Sequence, residues 1–171
     1  MICLKDLEVK QLNRNDLDDY LILVEKVKDN MKYPEWLGDF SKEDLIQIAE
    51  DGKIYLWYDK GIPVCAALLI PSTKKDLDKF FSGELDYLKV IDFGPEMVHP
   101  NYVGNGLQKE MLKFLENESV KMGYEYAIGT IHPDNIYSCK SLECVRFQNI
   151  GMVTLKRGVR AVYRKRLEDE K

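Results

Sequence analysis

The stretch Val98 to Leu112, VHPNYVGNGLQKEML, constrains the fold more than any other part of the chain. It passes from apolar residues through a proline and two glycines into an amphipathic pattern. Glycine is a poor helix former, so Gly104 and Gly106 at the start of a helix need a reason. A strand that runs into a tight loop and then a helix supplies one. The first-turn N–H groups lack intrahelical acceptors and sit at the positive end of the helix dipole. Together they form an anion site suited to phosphate, and glycine lets the backbone approach it because no Cβ intervenes. The chain has neither G-x-G-x-x-G nor a Lys-Ser/Thr after the second glycine, so the dinucleotide and P-loop patterns do not fit. Plain turn chemistry also puts glycines before a helix, and the residues alone leave both readings open.

The rest of the chain frames this junction. LEVKQLN alternates and reads as a first strand. Leu17, Tyr20, Leu21, Val24, Val27 and Met31 then recur at helical spacing, with Asn13 or Asn15 as the cap. After KYPEWLGDF, Ser41 and Asp44 form a capping-box pattern for a second helix that ends near Gly52. KIYLWY and IPVCAALLI flank Asp59-Lys60-Gly61, a hairpin signal. Residues 71–86 are polar with Phe80 and Phe81 embedded, and read as a short helix or a lid. YLKVIDFGPEMV is a strand broken at Gly94-Pro95. The helix after Gly104 puts Leu107, Met111, Phe114, Leu115 and Met122 on one stripe, and Gly123 ends it. YEYAIGTI is a strand, Asn135 to Phe147 a short helix, and the chain closes with a hairpin around Arg157-Gly158. The order is that of one mixed α/β domain spanning 1–171.

Its 171 residues suffice for one hydrophobic core. A net charge of -4 argues against a nucleic-acid partner. No apolar run reaches bilayer length and the N-terminus lacks signal-peptide layout, so the expected location is cytoplasmic, with no membrane partner. Cys3, Cys65, Cys139 and Cys144 form no C-x-x-C pair and no zinc spacing. They read as reduced, mostly buried thiols, and no metal is expected.

Two motifs resemble those of the GNAT superfamily, the acyl-CoA-dependent N-acyltransferases. The first is the loop Val103-Gly104-Asn105-Gly106-Leu107-Gln108. It is similar to the family's Q/R-x-x-G-x-G/A loop, with Val103 in place of Gln or Arg and Gln108 in place of Gly or Ala. The second is HPDNIYSCKSLECVRFQNIG, similar to N-x-x-S/A-x-x-x-Y-x-x-x-G-F. There Asn135, Ser138 and Phe147 match, Leu142 stands where tyrosine is usual and Arg146 where glycine is. The resemblance covers nearly the whole chain. It implies the GNAT fold, a central twisted mixed sheet flanked by about four helices. It also implies acetyl-CoA held by Met97, Val98 and the loop 103–108, with Asn135 and Ser138 near the pantetheine arm. Asn135 reads equally as a helix N-cap.

The implied reaction is transfer of an acetyl group to a primary amine by direct attack in a ternary complex. The acceptor is a small amine, an amino-acid-like molecule or a protein amine. The resemblance implies that the Val98 N–H bonds the thioester carbonyl. An alkyl amine of pKa about 10.4 must lose a proton. Glu96 is the first choice of base, two residues before Val98 and so on the same strand face, ahead of Asp92 and His99. Tyr137 or Ser141 would have to stand in as acid for Leu142. Cys139 has no neighbouring histidine to make it a nucleophile. Tyr33 and Trp36, with Phe40, offer aromatic faces to a cationic amine or pack the core edge. Lys156, Arg157, Arg160, Arg164, Lys165 and Arg166 read as a solvated hairpin face, or as a contact for a 3′-phosphate or an acidic substrate. A homodimer is left open. Two rivals remain: a non-catalytic CoA-binding sensor module, and an interaction domain whose loop is filled by Gln108.

Overall fold

The structure is a computed structural model that describes residues 1–81 and 83–168. Residue 82, inside the polar segment 71–86, lies outside the described residues. The chain divides into two compact units, Met1–Ile70 with Gly94–Met111, and Pro71–Phe93 with Leu112–Lys171.

The first unit contains β1 (Glu8–Gln11), α1 (Asp18–Asp29), α2 (Lys42–Asp51), β2 (Lys53–Asp59), β3 (Ile62–Pro71) and β5 (Met97–Val98). Its strands pair antiparallel in the order β1-β2-β3-β5. β2 and β3 are buried on both faces, which is why KIYLWY and IPVCAALLI are nearly continuous apolar runs rather than alternating ones. One face meets α1 and α2, where Leu17, Tyr20, Leu23, Leu45 and Ile48 pack with Ile54, Leu56, Ala66, Leu68 and Met97. The β2–β3 hairpin turns through Lys60 (φ 49°) and Gly61 (φ 82°), the two positive-φ positions of a type I′ turn. Ser41 Oγ accepts from Asp44 N, and Ser41 N donates to the Asp44 carboxylate, both at 3.0 Å. The capping box is therefore real and is worth about 1 kcal/mol.

Two expectations fail here. Neither Asn13 nor Asn15 caps α1. Asn13 Oδ1 accepts from Asn15 N instead, making a local Asx turn, and the helix starts after Leu17 with no side-chain cap. LEVKQLN does form the expected first strand, β1, an edge strand whose four residues are all exposed. The cysteines are all free, but only Cys65 is buried.

The second unit contains α3 (Lys74–Leu77), β4 (Val90–Phe93), the greater part of α4 (Leu107–Lys121), β6 (Tyr126–Ile131), α5 (Ile136–Cys144), β7 (Gln148–Leu155) and β8 (Gly158–Arg166). Its strands run β4-β6-β8-β7, with β4–β6 parallel and the other pairs antiparallel. Segment 71–86 has a packed base. Leu77 and Phe81 are buried with Val90 and Ile128, and Thr73 caps the single turn of α3. The buried stripe of α4 is Leu107, Met111, Leu112, Leu115 and Ser119, while Met122 is exposed. Met122 lies beyond Lys121, where the helix is already unwinding into Gly123 (φ 88°).

The basic run is not simply a solvated face. Arg160 is 2% exposed. Lys165 Nζ reaches Glu116 at 2.6 Å and the Val145 carbonyl at 2.7 Å. Arg160 and Lys165 are five residues apart and so lie on opposite faces of β8, which a count of charges along the sequence cannot show.

Candidate functional site

In the first unit, β5 feeds directly into the glycine loop. Cys65 lies opposite Val98 and Ala66 opposite Met97, and His99 N donates to the Val64 carbonyl at 2.7 Å. In an antiparallel ladder, hydrogen-bonded and non-hydrogen-bonded pairs alternate. With His99 and Met97 bonded toward β3, the Val98 N–H and C=O point away from it. Met97 turns its side chain into the core, 2% exposed, while Glu96 and Val98 are half-buried on the other side. One Glu96 carboxylate oxygen is buried. The strand break fits Gly94, whose absent Cβ would meet Leu68 Cβ at 2.9 Å. Any side chain there would push the backbone off β3.

After Val98 the chain makes a 3-10 turn over Pro100–Tyr102. The His99 ring accepts from Asn101 N at 3.2 Å, so it is engaged locally and is a poor choice of base. Tyr102 donates to Asp59 at 2.7 Å, tying the loop to the β2–β3 turn, and that bond raises the Tyr102 pKa. Asn105 is held by its side chain: Oδ1 accepts from Ile2 N at 3.2 Å and Nδ2 donates to the Tyr102 carbonyl at 2.8 Å. Glu110 accepts from Leu4 N at 2.7 Å. The N-terminal segment thus braces the loop from behind.

Gly104 and Gly106 have φ of 91° and 75°, in the region that L-residues with side chains avoid. A Cβ on either would meet nothing within 4 Å. The glycines serve the turn geometry and also leave open space over the backbone. No atom of Gln108 comes within 4 Å of either Cβ position, and Val103 is 69% exposed. The first α-helical bond of α4 is Glu110 N to the Gly106 carbonyl at 3.2 Å, so the amides of Leu107, Gln108 and Lys109 precede the ladder. This cradle fits a diphosphate: open, glycine-lined and rich in amides.

The Tyr33 and Trp36 rings stack, with centroids 4.5 Å apart. Lys32 Nζ lies 5.2 Å from the Tyr33 centroid, so the chain's own lysine fills the cation role expected for a ligand. Phe40 packs against the core of the first unit, as a core-edge residue. Cys65, opposite Val98, has its thiol pushed up to about 12 by burial and by Glu110.

Asn135, Tyr137 and Ser138 belong to the second unit. Asn135 Oδ1 accepts from Ser138 N at 3.4 Å, so its side chain is an N-cap. Tyr137 is 87% exposed, and no hydrogen bond among the described residues orients its phenol toward a leaving group. Leu142 is buried. Two groups were underrated by the sequence. Tyr163 is a buried tyrosine whose hydroxyl donates to Glu143 at 3.1 Å. Burial, then Cys139 and Glu143, push its pKa up, away from the range of a useful acid. It borders a cleft of about 300 Å³ with Cys139, Lys140, Glu143 and Met152. Asp92 on β4 is pushed up to about 7 by burial and by Asp76, against the opposing pull of Arg157. That is the range of a general base working at neutral pH. Its signal in the sequence was a lone acid inside an apolar strand.

The sequence matches no family model and no curated protein. Solved structures do resemble the chain. An N-acetyltransferase from Staphylococcus aureus has a TM-score of 0.72 and 17% identity, over 95% of this chain and 99% of its own. An acetyltransferase of the GNAT family from Streptococcus pneumoniae has 0.71 and 11%, over 95% and 99%. The aminoglycoside acetyltransferase AAC(6')-Ib in complex with coenzyme A has 0.70 and 18%, over 94% of each chain. It has also been solved with paromomycin and acetyl-CoA. The chain has the fold of these proteins. No described helix is long and apolar enough to cross a membrane.

Proposed function

We propose that this chain, built on the GNAT fold, is an acetyl-CoA-dependent N-acetyltransferase acting on a primary amine. The observation that carries the reading is the junction of β5 and α4. An amide turned away from its ladder at Val98 leads, within ten residues, to an open glycine loop at a helix N-terminus.

The cofactor, when bound, supplies an acetyl group activated as a thioester. The backbone amides from Gly104 to Gln108 hold its diphosphate, aided by the helix dipole. Because these contacts are made by backbone, Val103 and Gln108 are tolerated where the resemblance has other residues. The Asn105 side chain positions the loop rather than touching the ligand. The segment around Asn135 and Ser138 takes the pantetheine arm. The Val98 N–H donates to the carbonyl oxygen and is in place before reaction, so little reorganisation is required.

The proton of the incoming ammonium passes to a carboxylate on the chain that precedes Val98. Asp92, pushed up to about 7, and Glu96 are the two candidates there. No covalent acetyl-enzyme is required. A Cys65 thiol with pKa about 12 is not ionised at neutral pH, and direct attack with both substrates bound suffices. A thiolate, with thiol pKa about 8.5, leaves without a strong acid, consistent with Leu142 and with an unoriented Tyr137.

The test pairs thermal unfolding with a thiol-release assay on an amine panel. Acetyl-CoA at about 100-fold over Kd adds roughly 2.7 kcal/mol, or about 5–10 °C in Tm for a chain of this size. Gly106→Glu is expected to abolish that rise. Binding without thiol release from any amine would make the protein a sensor module. No binding at all would remove both readings.

A further inference from the structure

One face of the second unit's sheet carries an unusual set of charges. Asp92 on β4 is level with Ile128 on β6, and Ile128 with Arg164 on β8. Alternation along β8 puts Arg160 on that same face. Its Cα is about 10 Å from that of Asp92 across two strand spacings and about 13 Å along four residues. Arg160 is 2% exposed, and its one hydrogen bond among the described residues is from Nη1 to the neighbouring Val159 carbonyl at 2.8 Å. Among the described residues no carboxylate pairs with it. Arg157, in the β7–β8 turn, is exposed and makes no ion pair or hydrogen bond among them. It lies near enough to lower the Arg160 pKa and to act on Asp92 as well.

The acidic end is equally unsatisfied. No hydrogen bond among the described residues holds the Asp92 carboxylate, and Asp76 repels it. The Asp76 carboxylate is itself taken by Thr73 and Lys79. Nearby, Ser72 donates its N–H to the Val90 carbonyl at 3.3 Å, while its buried hydroxyl has no partner among the described residues. Crowded like charges and an orphaned hydroxyl each cost free energy in the empty protein. Two guanidiniums with no ion-pair partner among the described residues suit a carboxylate, and a carboxylate that nothing among them holds, beside a second one, suits an ammonium.

We propose that the acceptor is a small molecule carrying both a primary amine and a carboxylate. Its carboxylate is held by Arg157, with the buried Arg160 charge behind it, and its amine lies toward Asp92. This inference rests on the acetyltransferase reading and narrows its substrate to amino-acid-like zwitterions, leaving polyamines, which carry no carboxylate, and protein lysines outside.

Binding is measured without turnover, by thermal shift on the full chain with and without CoA. The probes are the protein amino acids, each against its C-terminal amide. The expected result is that at least one amino acid raises Tm and its amide binds about tenfold or more weakly. Arg157→Gln, on an exposed turn, should erase that difference and leave the CoA shift intact. Arg160→Met should weaken amino-acid binding likewise, and if it fails to fold, Arg157→Gln alone decides. Equal binding of acid and amide overturns the proposal, as does no response to any amino acid. If Arg157→Gln instead abolishes a preference for CoA over 3′-dephospho-CoA, the oxyanion is the cofactor's phosphate and the proposal fails. A protein that ignores CoA but separates acid from amide would sink the acetyltransferase reading and keep this subsite.

Discussion

Gly106→Ala and Gly123→Ala form a matched pair. The two glycines have φ of 75° and 88°, and a Cβ on either meets nothing within 4 Å. Alanine in this region costs about 1–2 kcal/mol, offset by about 0.4–1 kcal/mol from a less flexible unfolded chain. Each variant should therefore lose about 1 kcal/mol, or about 2–4 °C in Tm. The difference lies in what the methyl faces. At Gly123 it faces solvent past the C-terminus of α4. At Gly106 it stands over the amides assigned to the diphosphate. Losing one charge-assisted hydrogen bond there costs about 1.5–3 kcal/mol, so CoA affinity by calorimetry should fall by about tenfold or more in Gly106→Ala and stay within about twofold in Gly123→Ala. If both variants bind CoA alike, the loop is turn chemistry and the cradle argument is wrong, whatever their stabilities.

Other expectations follow from single groups. The Asp92 carboxyl is raised from 3.8 to about 7, so the folded state holds the proton more tightly. Stability from this group is full below about 4 and is lost as pH rises through about 7, and urea titrations of Asp92→Asn should lack that slope. As the base, Asp92 must be ionised, so kcat/KM should rise through about pH 7 in wild type and fall sharply and flatten in Asp92→Asn. If Glu96→Gln does this instead, the base is Glu96. Lys165→Met should cost about 3–5 kcal/mol in denaturant unfolding, since it strands a half-buried Glu116, and adding Glu116→Leu should restore most of it. Phe81→Ala should cost about 3–5 kcal/mol, because Phe81 anchors segment 71–86 through the Leu77, Val90 and Ile128 cluster; a loss under about 1 kcal/mol would make the segment a loose cover after all.

Features set by local backbone chemistry were legible. Lys60-Gly61, the Ser41–Asp44 box, Gly123 and the Gly104–Gly106 loop all stand where their φ demands or hydrogen-bonding side chains put them. Features set by packing were not. Asn13 had two uses for its side chain, a cap or an Asx turn, and nothing in NRND chooses between them. Arg160 and Lys165 look like their exposed neighbours until the register of β8 against β6 and β7 is known. Asp92 and Glu96 are four residues apart on similar stretches, and the burial of Asp92 and its nearness to Asp76 from α3 depend on packing that the sequence does not display.

This division also explains how a chain sharing 11–18% identity with solved acetyltransferases keeps TM-scores of 0.70–0.72 with them. A ligand read by main-chain amides asks little of the side chains around it. It requires a strand whose amide leaves the ladder, two residues able to hold positive φ, and a helix N-terminus. Val103, Gln108 and Leu142 are free to drift under that rule, and a pattern of side chains fades before the geometry does. On the proposal made above, an acceptor is read differently, by charges such as Arg157 and Arg160 whose placement depends on register and turn shape. Its identity is written in side chains that the fold leaves free to vary, so it must be measured in this chain and not carried over from a neighbour of the same fold.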